Sequence, residues 1–465
     1  MRRTFSPLIL ALFSLSLFAC AHMPPPEPSD HEFPIPETFT LYEERSSPSD
    51  RWWEVFGSEE LNTLIGEALK GSLTLRQSLA RLKQSGALAV QAGADRLPDL
   101  DLRAGVSDTW RDSDGETVTT RSRNLSLVSN YEIDFWGRLA AEEESARLEL
   151  EASREELYTA ALTLVSETTI KWLDLISVRQ QMELLHEQLG TNRTILDLME
   201  LRYLKGMATA LDIYQQRQAV AEIEASFPQL EARLHTLLHQ MAVLVGKPPR
   251  SDMGLAADRL PEPGLPPGTG VPADLLSKRP DVREAGLKLR AAAGQVAAAR
   301  AGRLPAVNLT ASGGFSSPGF SDLLERWIAS LAASLTYTIF DSGSERAGVQ
   351  RQEAVVEERL ASYEETVLTA IREVEDAMIR EIKQVEYVAA LEKQLKISQN
   401  GYREALSRYR KGLSDYLPVL TALTSTHRLQ RSIVQAKFDR LTYRVALYRA
   451  LGGSWMETEF EKRYQ

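Results

Sequence analysis

No proline occurs between Gly137 and Phe227, nor between Gly343 and Leu417. Proline breaks a helix interior because it lacks an N–H and clashes with the preceding turn. Each stretch is therefore free to run as one uninterrupted helix. In the first, Leu157, Ala161, Leu164, Thr168, Lys171, Leu175, Val178, Met182, Leu185 and Leu189 recur at alternating spacings of four and three. All but Thr168 and Lys171 are apolar, and this heptad period predicts left-handed coiled-coil packing. A helix from Arg138 to Leu204 would span on the order of 100 Å. A single globular core has no use for that length, whereas a tube or a stalk does.

The plan occurs twice. "RYLKG" at Arg202 to Gly206 returns as "RYRKG" at Arg408 to Gly412, an offset of 206 positions. The same offset relates Gly137 to Gly343, Glu167 to Glu373 and Gly246 to Gly452. "RLPD" at Arg96 to Asp99 matches "RLPA" at Arg303 to Ala306 one residue further out. We read an old tandem duplication, its halves joined by a Pro/Gly-rich link from Gly246 to Pro272. The period is far too long for a solenoid. Each copy should open with a helix ending near RLP, at Leu61 to Arg96 and at Val282 to Arg303. Pro280 and Asp281 suit the start of the second.

Two stretches of period two come next in each copy. Leu100, Leu102, Ala104 and Val106 alternate with polar residues or glycine. Leu125, Leu127, Tyr131, Ile133 and Phe135 oppose Asn124, Ser126, Asn130, Glu132 and Asp134. In copy two, Val307, Leu309 and Ala311 share one face, as do Trp327, Ala329, Leu331, Ala333, Leu335, Tyr337 and Ile339. These predict strands of roughly ten residues with one apolar face. A β-sandwich would also alternate, but aromatic residues cluster at the strand ends. Trp110 and Trp327 mark the far ends, and Phe135, Trp136, Tyr337 and Phe340 the near ends, as a bilayer crossing predicts. Four strands cannot close a channel, and open edges cannot stand in lipid. Protomers must then share one barrel; two chains reach about the smallest strand number and three exceed it.

The N-terminus carries Arg2 and Arg3, then a short apolar run from Leu8 to Phe18. That run is too short to span a bilayer as a helix and reads as a signal. Leu17-Phe18-Ala19-Cys20 resembles a bacterial lipobox, with Phe18 bulkier than usual, and Cys20 is the only cysteine. The alternative is a plain secretory signal. Ala21 fits outer-membrane delivery by the same resemblance. Pro24, Pro25, Pro26, Pro28, Pro34 and Pro36 form a stiff extended tether. Cleavage would take the formal charge from −10 to −12 by removing Arg2 and Arg3. An acidic chain without a basic cluster argues against nucleic acid and against docking on anionic lipid.

"WWEVFGSEEL" (Trp52 to Leu61), "RLPDL", "YEIDFWGR" (Tyr131 to Arg138), "RYLKGMATALD", "DLLSKRPDVREA" (Asp274 to Ala285), "FDSG" (Phe340 to Gly343) and "RYRKGLSDYLPVL" occur in this order. Together they resemble TolC-type outer-membrane efflux factors, in the lipidated NodT-like branch that serves resistance-nodulation-division pumps. The resemblance covers nearly all of the mature chain. It implies an α+β membrane protein: a trimeric β-barrel with four strands per chain, continued by a long α-helical coiled-coil barrel. It also implies a homotrimer in the outer membrane, with a long periplasmic extension, working with a periplasmic adaptor and a proton-driven inner-membrane pump. The organisation expected is a signal peptide over 1–19 and a lipid-anchored tether over 20–50. Then come a first repeat over 51–246, a linker over 247–276, a second repeat over 277–453 and a tail over 454–465. The one attached group expected is a covalent lipid on Cys20; no cofactor is expected.

On that resemblance each "RY.KG" sits at the periplasmic tip of a helical hairpin, where gating and adaptor docking occur. Candidates there are Arg408, Tyr409, Gly412, Asp415 and Leu417, with Arg202, Tyr203, Gly206 and Asp212 as copy-one counterparts. The alternative is that these residues only cap a hairpin. The family's second copy often carries Asp nine residues after the turn glycine, and here that position is Thr421. Pro418 stands where an ordinary helix former would be expected. The gate should then rest on Leu417 packing and on Arg408 or Asp415 bonding rather than on an Asp ring.

Other candidates read plainly. His235 and His239 lack a third ligand, and "HTLLH" is not the zincin pattern. Glu142 to Glu144 suit a helix start. No Ser/His/Asp arrangement, Walker loop or GxGxxG appears, so an enzyme is the weakest class. The function expected is a passive efflux duct for drugs or other small toxic compounds. Alternatives are a metal-ion or type I protein export duct, and a structural trimeric coiled-coil lipoprotein without a pore.

Overall fold

A computed structural model describes residues 35–41, 51–113 and 115–464. The signal peptide, Cys20 and most of the tether lie outside these residues. After a 3-10 turn at Trp52–Phe56, the helices and strands run in a repeated order. Copy one has α1 (Glu59–Gly71), α2 (Leu73–Ala94), β1 (Asp101–Ser113), β2 (Glu116–Ile133), α3 (Arg138–Leu204) and α4 (Ala210–Leu244). Copy two has α5 (Leu275–Lys278), α6 (Pro280–Ala301), β3 (Ala306–Ser317), β4 (Trp327–Thr336), α7 (Ser344–Arg410) and α8 (Leu417–Leu451), and α9 (Trp455–Tyr464) comes last.

The duplication is visible in the backbone. Helices α3 and α7 each have 67 residues, and α4 and α8 each have 35. The glycine pairs 137/343, 206/412 and 246/452 all take left-handed φ, between 72° and 88°. The expected first helix is interrupted: α1 ends at Gly71 and Ser72 caps α2, its hydroxyl accepting from Leu75 N. The break sits where Gly71 lies against the Val245–Gly246 backbone so closely that a side chain could not fit. The chain divides into two compact units, and each unit takes parts of both copies.

The first unit holds residues 80–154 and 283–365, including the sheet. All four strands are antiparallel in the order β1-β2-β3-β4. The register places like with like. Leu102, Leu127, Gly313 and Ala329 form one cross-strand row, and Ile133, Val307 and Leu335 another. The alternate rows are mostly polar, such as Glu132, Asn308 and Ser334, or Arg103, Ser126 and Gly314, a row that ends on Ile328. Partners in a row share a face, so the sheet has one apolar side with Leu102, Val106, Leu331 and Leu335 exposed on it.

Two expectations about the strands need correction. The strands are 13, 18, 12 and 10 residues long, and the β1–β2 hairpin outruns the others. Its extension, rich in Thr, Arg and Asp, favours extended backbone without apolar alternation, so the period ended too early. Trp110 therefore does not share a level with Trp327. Trp327 pairs with Phe315, Phe315 with Leu125 and Leu125 with Ala104. Trp110 lies six residues further on, roughly 20 Å along the strand.

At the base of the strands the sequence motifs become corner chemistry. Asp134 accepts from Leu139 N (3.2 Å) and Ala140 N (2.8 Å), capping α3. Asp341 does the same for α7 through Gly343 N (2.8 Å) and Glu345 N (2.6 Å). Arg138 bridges Glu132 and Glu142 at 2.8 and 2.9 Å, and Trp136 Nε1 donates to Pro305 O at 2.8 Å. These contacts account for "YEIDFWGR". Helix α6 packs through alanines and Gly294, whose missing side chain admits Ser145 of α3.

The second unit holds residues 34–79, 155–282 and 366–465. The heptad stripe is its core: Leu157, Ala161, Leu164, Thr168, Leu175, Val178 and Leu185 are all buried. "RPDVREA" is a buried clamp. Arg279 reaches Asp281 (2.6 Å), Glu373 (2.8 Å) and Ala450 O (3.1 Å), tying the start of α6 to α7 and to the end of α8. Trp52 stacks on Tyr448, and Trp172 donates to Glu60 at 2.7 Å. Among the described residues, no helix is long and apolar enough to cross a membrane.

Candidate functional site

The two "RY.KG" stretches form the same helix stop. Met207 N donates to Arg202 O (2.8 Å) and Gly206 N to Tyr203 O (2.8 Å). Leu413 N donates to Arg408 O (2.9 Å) and Gly412 N to Tyr409 O (3.0 Å). This is the Schellman pattern, which satisfies the last carbonyls of a helix and needs a left-handed residue at the glycine. Gly206 and Gly412 supply it at φ 72° and 73°. The repeated pentapeptide is thus a chain reversal that both copies kept.

The helix starts after the two stops differ. Thr209 caps α4 with a reciprocal capping box: its hydroxyl accepts from Asp212 N (3.2 Å) and Asp212 accepts from Thr209 N (2.9 Å). Helix α8 starts one residue later relative to its glycine, with Tyr416 at the cap position and no side-chain cap. Pro418 lies in the first turn of α8, where a missing N–H costs nothing. It starts a helix and does not interrupt one. Asp212 is not the counterpart of Asp415: the 206-residue offset places it opposite Pro418, and it is occupied with its own cap.

Between the stops lies a small aromatic core of Met199, Ile213, Tyr409, Tyr416 and Val419. Tyr409 was expected among the gate contacts, yet it is buried. Its ring lies under the Arg202 guanidinium at 4.6 Å, and its hydroxyl donates to Met199 Sδ at 3.3 Å. The aromatic face attracts the cation, so Arg202 and Tyr409 join the two copies within one chain. Burial raises the Tyr409 phenol, with Arg202 opposing. Burial raises Tyr416 further.

A buried polar ladder continues from this core. The Tyr416 hydroxyl donates to Gln216 Oε1. Gln216 Nε2 donates to Asn192 O (2.7 Å) and Oδ1 (3.1 Å). Asn192 Nδ2 donates to Gln188 O at 2.8 Å and faces His427 Nδ1 at 3.5 Å. Gln188 Nε2 donates to His427 O (3.2 Å), and Gln188 Oε1 accepts from Arg431 (2.6 Å). Burial, and secondarily Arg431, pushes His427 down to about 4. The sequence reading missed these residues, although a signal was present. Leu185, Gln188, Asn192, Ile195 and Met199 keep the three-four spacing, as do Ile213, Gln216, Val220 and Ile223. Polar residues at coiled-coil core positions fix register at some expense of stability.

The remaining candidates face outward. Arg408, Asp415, Leu417, Thr421 and Tyr203 are exposed. Leu417 is 55% exposed beside a groove that Ile397, Gly401 and Thr421 also line. Thr421 Oγ1 donates to Leu417 O at 2.9 Å. Among the described residues neither the Arg408 nor the Asp415 side chain has a hydrogen-bond or ion-pair partner. The bonding expected of them is therefore not made among the described residues of one chain. His235 is exposed on α4, and no cluster of three or more metal-ligating side chains occurs among the described residues.

The outer membrane efflux protein family matches residues 64–247 and 271–453, and the chain belongs to it. The chain is 34% identical over 471 residues to the pyoverdine export outer membrane protein OpmQ of Pseudomonas aeruginosa, covering 96% of this chain and 97% of OpmQ. It is 24% identical to the probable outer membrane lipoprotein SilC of Salmonella typhimurium, covering 97% and 100%. The solved outer-membrane channel OprN superposes with a TM-score of 0.86 at 28% identity, covering 92% of this chain and 99% of OprN.

Proposed function

We propose that three copies of this chain share one twelve-stranded barrel and one helical tunnel, and act as the passive exit duct of a tripartite efflux system. The observation that carries this is the registered apolar face of a sheet whose edge strands β1 and β4 have no further strand partner among the described residues. Such edges are stable in lipid only when another protomer pairs with them. A periplasmic adaptor and a proton-driven inner-membrane pump deliver cargo to the helical end. The cargo class is small organic compounds, drugs included; similarity to a pyoverdine exporter supports this class.

Cys20 carries the lipid that holds the N-terminus to the outer membrane, a reading supported by the lipobox-like Leu17–Cys20 and by similarity to SilC. Palmitate labelling should mark the wild-type chain and not Cys20→Ala. At the tips, Arg202 and Tyr409 hold each protomer together, while the exposed Arg408, Asp415, Leu417 and Tyr203 meet neighbouring protomers and the adaptor. The test is deletion of the gene in a strain with an active pump. Sensitivity to dyes, detergents and antibiotics should rise and return to normal on complementation. Unchanged sensitivity would remove the drug-efflux reading, and absence of conductance in planar bilayers, even from tip variants, would remove the duct.

A further inference from the structure

Away from the tips, a cavity of about 410 Å3 lies among α7, α8, residues 266–269 and residues 40–41. Its wall is largely apolar, with Leu41, Pro267, Met378, Ile382, Val385 and Leu447. Three charged residues also line it: Glu381, Arg440 and Arg444. Two of them cancel. Arg444, 1% exposed, donates from Nε to Glu381 Oε1 at 2.8 Å, and from Nη1 to Gly264 O and Leu265 O at 3.0 Å.

Arg440 is left over. Its Nε is buried without a hydrogen-bond partner, and no carboxylate pairs with it among the described residues. Thr269 lines the same cavity, is 8% exposed, and its Oγ1 is also buried without a partner. Buried polar groups are nearly always satisfied, because an unmade bond costs the whole desolvation of the group. Here a guanidinium Nε and a hydroxyl, both buried and unsatisfied, belong to two residues that line one apolar space of the size used for small ligands.

We propose that this cavity binds a small amphipathic carboxylate. The carboxylate meets the planar guanidinium fork of Arg440, which suits two parallel hydrogen bonds, and accepts from Thr269 Oγ1. The apolar body lies against Met378, Ile382 and Val385. A carboxylate fits better than a phosphate because one unpaired cation balances one negative charge and the remaining wall is hydrocarbon.

Octanoate is a suitable probe, measured by calorimetry on the full-length protein in a non-ionic detergent, with octanol and octylammonium alongside. Saturable octanoate binding is expected, with octanol at least about tenfold weaker and octylammonium absent. Arg440→Gln should weaken octanoate by at least about tenfold, and Thr269→Val by roughly threefold to tenfold. Gel filtration of each variant at the wild-type volume guards against misfolding. Equal octanoate binding by wild type and Arg440→Gln would overturn the proposal, as would no binding at all. Binding seen only after Glu43→Gln with Glu44→Gln would also overturn it, since the chain's own carboxylates would then be the occupants.

Discussion

His427 should make the hairpin tip lose stability in mild acid. Asn192 spends its Oδ1 on Gln216 and one amide hydrogen on Gln188, so its orientation is fixed. The remaining amide hydrogen points to His427 Nδ1, which must accept and therefore be unprotonated. Protonation would set N–H against N–H in a buried site beside the Arg431 guanidinium. Glu222 is the acid that acts on Arg431 from α4; from α3 the uncharged Asn192 faces the ring, and the uncharged Gln188 donates to the His427 carbonyl. The His427 pKa falls from an ordinary 6.5 to about 4. Between those values the folded state binds fewer protons than the unfolded state. Stability is then full above about pH 6.5, falls as pH drops, and levels off below about pH 4. The maximum loss is about 3 kcal/mol, and at pH 5 it is about 2 kcal/mol.

Hydrogen exchange on detergent-solubilised protein reads this locally. Peptides covering 188–216 and 416–431 should lose roughly thirtyfold in protection between pH 7.5 and pH 5, after correction for intrinsic exchange. His427→Gln keeps a hydrogen-bonding side chain that does not titrate, so its protection should respond little to pH, whatever its absolute level. An equal pH response in His427→Gln, or none in the wild type, would refute the reasoning.

The geometry carries three further outcomes. Leu331→Arg, on the apolar face in mid-strand, should cost about 2–4 kcal/mol and deplete assembled protein in the outer membrane, whereas Ser330→Arg on the opposite face should assemble normally; equal effects in membrane fractions would contradict a lipid-facing side. Gly206→Ala and Gly412→Ala should each destabilise their turn by roughly 1–2 kcal/mol, because a Cβ is strained at left-handed φ, and limited proteolysis should cut faster at the affected tip. Leu417→Ala should raise single-channel conductance in planar bilayers by weakening apolar closure between protomers, and unchanged conductance would show that Leu417 is not part of the closure.

The parts of the fold that could be read in advance are those where one local period runs unbroken. Helix α3 is such a case, since a proline-free heptad run fixes both its length and its buried stripe. The strand faces could be read for the same reason. The β1–β2 extension could not, because threonines and charges favour extended chain without marking a face. The break at Ser72 has only a short local sign, a glycine followed by an N-capping serine, and the tertiary meeting of Gly71 with Val245 and Gly246 accompanies it.

At the tips, spacing placed the turns but misjudged the side chains. Tyr203 and Tyr409 occupy equivalent positions in an identical helix stop, yet one is exposed and the other buried. Nothing in the pentapeptide separates them. The difference comes from the start of the next helix: Thr209 and Asp212 cap α4 among themselves, whereas α8 opens with Tyr416, whose ring packs edge-on against Tyr409 at 5.5 Å. The uncapped start of α8 thus draws an aromatic side chain inward, and Arg202 of the other copy closes over it. A duplicated hairpin needs such an asymmetry. Two identical tips could stand side by side in either order, but a cation on one and a buried ring on the other allow only one arrangement. The Arg202–Tyr409 contact is therefore where the duplication ceases to be a repeat and becomes a pair.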